Sequence, residues 1–229
     1  LSLAPNDADV RRRYGGFLRH TGRTRRALDE LLSAWELGSD GPSLTSSIVN
    51  TYAYLGEFAN ARVFFETRMA KVGLENMTGN EAYFVSLMAD GMEAEAREFA
   101  TLDLHPRVIP RLRFFLDRLD GNPGAGERLV DATLASIEQY GRPRWGDIDN
   151  IVMAGEIEMA RELVPQTQGY GWSAPSRFIL HINEEIDPRY LPYRPNLLPL
   201  VDLFPGVPEA FMDIGVDVMA RGREKGFFE

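Results

Sequence analysis

Apolar residues recur at spacings of three and four along the first part of the chain, with polar residues between them. Such spacing places the apolar side chains on one face of an α-helix. Because Asp7 is a suitable polar cap, we expect a first helix over about 8–21 and a second over about 24–37. The residues predicted to face the core are Tyr14, Gly15 and Leu18 on the first helix and Ala27, Leu28, Leu31, Leu32, Ala34 and Trp35 on the second.

The same arrangement recurs further along the chain. A second helix pair is indicated by Ile48, Tyr52 and Leu55, followed by Ala61, Phe64, Phe65 and Met69. A third pair is predicted between Glu81 and Asp103. Two more follow, over about 106–119 with 124–140 and about 145–154 with 157–164. The chain is therefore predicted to be all-α over its first ~165 residues.

A glycine followed five residues later by an alanine marks four of these pairs. The instances are Gly22/Ala27, Gly56/Ala61, Gly91/Ala96 and Gly155/Ala160, and the glycines lie 34, 35 and 64 residues apart. Glycine adopts the left-handed conformation that ends a helix at a tight turn. Alanine lets two helices approach closely where they cross. The repeat therefore predicts a series of helical hairpins.

The repeat resembles the tetratricopeptide repeat (TPR) family. The residues that carry the resemblance are Tyr14-Gly15-Gly16-Phe17-Leu18 in a first helix, Ala27 to Leu31 and Ala61 to Phe65 in second helices, and Pro5 as a closing proline. The resemblance implies a right-handed α-α superhelix, which is a solenoid of TPR-like helix hairpins. It also implies that 1–5 are the tail of a preceding repeat's second helix, which favours a fragment or at least an incomplete first repeat. The first helices lack the family's tryptophan, and the resemblance ends near residue 165.

The composition changes after residue 165. Eight prolines, the first of them Pro165, interrupt the chain from there on and exclude long helices from most of the remaining segment. Short helices are predicted over 176–185 and 208–222. A solenoid needs an atypical terminal unit to cover its last apolar face. We therefore expect two parts, a helical repeat array over 1–165 and a capping segment over 166–229.

Composition and charge exclude several functions. The 229 residues include no cysteine, which removes disulfides and thiolate chemistry, and the net charge of −9 disfavours nucleic-acid binding. No apolar run is long enough to span a membrane. The three histidines, His20, His105 and His181, lack metal-ligand spacing. We expect a cytoplasmic, non-enzymatic protein without a cofactor.

The resemblance implies a concave groove that binds a peptide or partner helix, as in a scaffold or the sensing part of a larger regulatory protein. The predicted groove residues are Arg12, Arg19, His20, Asn50, Tyr54 and Glu81. A full carboxylate clamp is not expected, because Gly16 replaces an asparagine and Glu81 is acidic. The arginines instead favour a segment rich in acidic or amide side chains. The alternative is that they are ordinary solvated residues.

Two other functions remain open. Apolar residues near the C-terminus could form a homodimer contact, and these are Phe211, Met212, Ile214, Val216, Val218 and Met219. An enzyme site at the junction of the array and the C-terminal segment would use His181, Glu185, Asp187 and Tyr190. His181 and Glu185 would share a helix face, which is compatible with acid–base chemistry.

Overall fold

The computed structural model describes residues 6–167, 183–194 and 200, and all regular structure in that part is helical. The α-helices are α1 (Ala8–His20), α2 (Thr24–Glu36), α3 (Pro42–Tyr54), α4 (Phe58–Val72), α5 (Asn80–Ala89), α6 (Glu93–Phe99), α7 (Ile109–Leu119), α8 (Ala125–Tyr140), α9 (Trp145–Met153) and α10 (Ile157–Leu163). Short 3₁₀ turns lie at Leu74–Asn76, Val164–Gln166 and Leu191–Tyr193. None of the helices described is long and apolar enough to cross a membrane.

The helices of the first, fourth and fifth pairs begin and end where the sequence predicts, to within about three residues, and the third pair ends at Phe99, four residues before the predicted Asp103. Asp7 caps α1 as expected, since its side chain accepts from the backbone N–H groups of Asp9 at 2.9 Å and Val10 at 3.0 Å. Pro42 occupies the first turn of α3, where its missing N–H has no intrahelical partner to lose. The helices predicted beyond residue 165 are not confirmed. Glu184 and Glu185 lie in a turn, so the helix predicted over 176–185 does not reach its expected end, and the rest of it and 208–222 lie outside the described residues.

The glycine–alanine repeat has the predicted role. All four glycines have positive φ, with values of 75° at Gly22, 72° at Gly56, 76° at Gly91 and 93° at Gly155. Side chains rarely adopt this conformation, so the turn selects glycine. The four alanines, Ala27, Ala61, Ala96 and Ala160, are each 0% exposed. Glycine therefore ends the first helix of each pair, and alanine lies in the core beside it.

Helices α1 to α6 and residues 184–191 form one compact unit. Each odd-numbered helix packs against the even-numbered helix that follows it, and α3 also contacts α1 and α5. A core cluster joins α2 to α3 through Leu31, Ala34 and Ile48. Further along, the ring of Phe65 stacks on Tyr83 with centroids 4.3 Å apart. Successive helix pairs of this unit thus share apolar cores.

Helices α7 to α10 belong to a second compact unit. Its core contains Ile148, Ile151, Ala160, Val164 and Leu200, all 0% exposed. Helix α8 packs against α7 and α9, and α10 packs against α9. The unit therefore continues the pairing of consecutive helices.

A buried polar network crosses the second unit. Arg111 of α7 donates to Asn150 Oδ1 of α9 at 2.7 Å and to the Gly146 carbonyl at 2.9 Å. Its guanidinium also lies 3.8 Å from the Asp149 carboxylate, and Asn150 donates to Thr133 Oγ1 of α8 at 3.2 Å. Buried polar groups of this kind are tolerated when they are hydrogen-bonded to one another. The network fixes three helices in one arrangement.

Candidate functional site

Three hairpin turns of the first unit share one backbone geometry. They join α1 to α2, α3 to α4 and α5 to α6, with Gly22, Gly56 and Gly91 at their centres. In each turn the residue after the glycine donates its N–H to the carbonyl five residues earlier, as Glu57 does to Tyr52 at 3.0 Å. This is the Schellman arrangement that closes a helix C-terminus. We call the surface formed by these three turns, with the adjoining ends of α2, α3 and α4, the turn edge.

Residues 184–191, here called the docked segment, lie on the turn edge. The backbone N–H of Asp187 donates to the Tyr54 carbonyl at 2.7 Å, in the last turn of α3. The Glu185 carboxylate accepts from the backbone N–H of Arg25 at 2.8 Å, in the first turn of α2. Helix ends carry backbone groups without intrahelical partners, and a carboxylate is favourable at a helix N-terminus. The docked segment therefore supplies partners that these two helices lack internally.

Two side chains of the docked segment are buried. Ile186 is 5% exposed and Tyr190 is 1% exposed. The Tyr190 ring meets Tyr54 edge to face, with centroids 4.7 Å apart and planes at 70°. Edge-to-face geometry is favourable for aromatic pairs beyond the area they bury. The docked segment is thus held by apolar contacts as well as by its hydrogen bonds.

Charged groups complete the contact. The Arg189 guanidinium lies 4.7 Å from the centroid of the Phe58 ring and 3.7 Å from the Asp90 carboxylate. It also pairs with Asp187 at 2.9 Å. This hydrogen bond holds the pKa of Asp187 below its ordinary value, and the same pairing raises the pKa of Arg189. Both groups are therefore charged at neutral pH and remain paired.

A second ion pair connects two turns of the edge. The Arg25 guanidinium donates to the Glu57 carboxylate, so the start of α2 is tied to the turn before α4. Burial raises the pKa of Glu57, but hydrogen bonds from Arg25 and Asn60 outweigh it, and the net pKa lies below the ordinary value. The turn edge thus presents ionised groups of both signs.

The predicted groove residues of α1 lie near its two ends. Arg12 pairs with Asp9 at 2.6 Å, and Arg13 pairs with the other oxygen of the same carboxylate at 2.6 Å. The hydrogen bonds from Arg12 and then Arg13 lower the pKa of Asp9. Arg19 and His20 lie in the last turn of the helix and are partly buried. The two predicted arginines are seven residues apart, so they lie on one helix face.

The remaining predicted residues lie on α3 and α5. Asn50 donates to the Ser46 carbonyl at 2.7 Å, within its own helix. Glu81 is partly buried in the first turn of α5. Tyr54 is only 4% exposed, because Tyr190 packs against it. Since α3 contacts both α1 and α5, the six predicted residues belong to three neighbouring helices. Of these six, Tyr54 is the one that the contacts above join to the docked segment.

Sequence reasoning missed the turn edge. It assigned no role to Arg25, and it predicted Gly56 to be a turn residue only. Glu185, Asp187 and Tyr190 were assigned to a hypothetical enzyme site, whereas here they make docking contacts, and His181 lies outside the described residues. The available signal was an acidic, aromatic, proline-containing stretch in a chain whose first hairpin is rich in arginine.

The described part of the chain contains no group of three histidine, aspartate or glutamate side chains placed to hold a metal ion. No protein-family model, curated protein sequence or solved structure matches this chain.

Proposed function

We propose that the chain is a solenoid of TPR-like helix hairpins that binds a peptide or helix of a partner protein. The observation that carries the proposal is the docked segment, because it is an acidic, turn-rich stretch that lies across three successive hairpins. Its contacts use helix ends, ring faces and charged side chains, which are the groups that recurring peptide-recognition modes employ.

The repeat geometry supports the solenoid. Successive pairs have the same glycine turn and the same buried alanine, and the first helices of neighbouring pairs contact one another. A solenoid is built when each hairpin contacts only its neighbours and buries one face against each. Such stacking places the first helices side by side in one layer, and that layer forms an elongated surface.

The partner-binding residues in this proposal are those of the α1–α3–α5 layer, namely Arg12, Arg19, His20, Asn50, Tyr54 and Glu81. Arg12 and Arg19 lie on one face of α1 and supply guanidinium donors in a planar fork, which matches a carboxylate. Asn50 supplies an amide, which pairs with backbone or amide groups. This chemistry favours a partner segment with acidic and amide side chains.

The test compares two neighbouring arginines. Labelled acidic peptides, selected by binding to the intact chain from a peptide array, would be titrated by fluorescence anisotropy against Arg12→Glu and Arg13→Glu. Both arginines pair with Asp9, and both substitutions change the net charge by the same amount. Arg12→Glu should weaken binding about ten- to a hundredfold, the worth of a charge-assisted hydrogen bond. Arg13→Glu should weaken it by less than about threefold, as expected for a change in net charge alone.

Equal effects of the two substitutions would contradict groove binding and point to non-specific attraction. Circular dichroism of both variants should match the intact chain, since both side chains extend from the surface of α1 and neither belongs to the core.

A further inference from the structure

The docked segment contacts three successive helix pairs in order along the chain. Glu185 binds at the first pair, Asp187 at the second and Arg189 at the third. Arg189 also lies over the Phe58 ring of the second pair. The segment consists mostly of bends and turns. One short, turn-rich stretch of chain therefore contacts three hairpins.

The second half of the docked segment forms a turn of its own. Tyr190 donates its N–H to the Asp187 carbonyl at 2.9 Å, and Asp187 Oδ1 accepts from the N–H of Arg189 at 2.9 Å. Aspartate at the first position and proline at the second are the residues that such a turn favours. The Asp-Pro-Arg-Tyr sequence thus presets the position of the tyrosine ring, which lowers the entropic cost of binding.

One core cluster of the first two helix pairs does not include the docked segment. This cluster, which joins α2 to α3, contains residues of the helices alone. In the described residues one hydrogen bond between backbone groups connects the segment to the helices, and the Arg189 side chain is 53% exposed. Ion pairs between exposed side chains contribute about 0–1 kcal/mol. Ile186 and Tyr190 are therefore the main determinants of docking.

We propose that the turn edge is a recognition site for a turn-forming segment with a defined pattern, and that residues 184–191 occupy it in cis as a displaceable competitor. The pattern is a carboxylate, an aliphatic residue, and then an Asp-Pro turn that ends in an aromatic residue. The carboxylate binds the N-terminus of α2, the turn donates to the end of α3, and the aromatic ring packs on Tyr54. A partner protein with this pattern binds once the chain's own segment leaves.

This inference rests on the proposed function in one respect, since Tyr54 belongs both to the proposed groove and to the turn edge. While Tyr190 covers Tyr54, a partner that needs this ring must first displace the docked segment. A ligand that binds only the open state has its affinity reduced by the fraction of molecules that are open. The docked segment therefore lowers the apparent affinity of the chain for such a partner.

The test uses the full chain and a fluorescein-labelled peptide with the sequence of residues 184–191. Wild-type protein should bind the peptide weakly, because the cis segment occupies the site. An Ile186→Ala/Tyr190→Ala variant of the full chain keeps the turn edge but loses both anchors. It should bind the peptide about tenfold or more tightly, as expected when the open fraction rises from about a tenth or less to near one. A peptide with the same two alanines should bind neither protein.

Matched glycine variants locate the binding site. A Cβ at Gly56 would lie 2.8 Å from Asp187 Cγ, whereas a Cβ at Gly91 would meet nothing within 4 Å. Adding Gly56→Ala to the double variant should abolish peptide binding, and adding Gly91→Ala should preserve it. The proposal is overturned if the double variant, helical by circular dichroism, does not bind the peptide. It is equally overturned if Gly56→Ala leaves binding unchanged.

A milder variant tests the proposal independently, in case the double variant does not fold. Asp187→Ala removes a side chain from the segment without touching the helices, and it should give an intermediate gain in peptide affinity. No gain would count against a displaceable segment. Failure of these experiments is distinguishable from failure of the proposed function, because the latter is read from the difference between Arg12→Glu and Arg13→Glu.

Discussion

Replacing Gly56 by alanine should loosen the docked segment, whereas replacing Gly91 should not. The two glycines occupy equivalent hairpin turns, with φ of 72° and 76°. An alanine in this left-handed conformation costs about 1–2 kcal/mol. Both variants therefore have the same backbone penalty, and both alanines restrict the unfolded chain equally. Any difference between them arises from the surroundings of the new methyl group.

Those surroundings differ at one position. At Gly91 the methyl group enters open space, but at Gly56 it overlaps the side chain of Asp187. Asp187 must move, and its N–H then loses the 2.7 Å bond to the Tyr54 carbonyl. Such a bond contributes about 1 kcal/mol net. Gly56→Ala should therefore cost at least about 1 kcal/mol more than Gly91→Ala.

Two measurements check this difference. Urea unfolding followed by circular dichroism gives the free energy of unfolding of each variant. Hydrogen exchange read by mass spectrometry gives the protection of the backbone amides of 184–191. Gly56→Ala should speed exchange there about fivefold or more, which corresponds to about 1 kcal/mol. Equal stability losses with equal exchange in the two variants would refute the assignment of Gly56 to the docking surface.

Three further predictions concern packing, burial and charge. Ala61→Leu should lower the free energy of unfolding, measured in urea, by about 1–3 kcal/mol, because a larger side chain overpacks the buried position. Ala59→Leu, on the exposed face of α4, should change it by less than about 0.5 kcal/mol. Arg111→Met should lower the free energy of unfolding by about 3–5 kcal/mol in the same assay, because it removes a buried ion pair with Asp149 and the hydrogen bonds to Asn150 and Gly146. Arg113→Met, at an exposed position of the same helix, should be nearly neutral. Asp187→Asn should be less stable than wild type at neutral pH. The pKa of Asp187 is held below its ordinary value when docked, so its contribution to the free energy of unfolding is fully present above that ordinary value. The contribution is lost as the pH falls through the docked-state pKa, and the urea midpoints of the two proteins should therefore converge in acid.

Much of the helical framework follows from local sequence. The cap at Asp7, the glycine that closes each hairpin and the buried alanine five residues later all depend on neighbours along the chain. Their physical basis is backbone conformation and side-chain size, which act within a few residues. Where the sequence predicts individual helix bounds, in the first, fourth and fifth pairs, they agree with the structure to within about three residues.

The same reasoning predicts the positions of the groove residues but not their surroundings. Helical periodicity assigned Arg12, Asn50 and Tyr54 to the first helices, and the structure has them on α1 and α3. Periodicity does not show what covers a residue, so the burial of Tyr54 beneath Tyr190 was not foreseen. A helix face has the same pattern whether it is solvated or covered by a distant segment.

The sequence by itself determined that the chain forms consecutive helical hairpins, because each hairpin is encoded by residues that are close together. Only the tertiary structure decided where residues 184–191 bind. Helix α2 has no side-chain cap from the residue that precedes it, and Glu185, 160 residues after Arg25, supplies a carboxylate to its N-terminus. A contact across so long a loop has no periodic pattern in the sequence that would reveal it. The contact uses backbone groups at helix ends, and these groups come together only after the hairpins have formed.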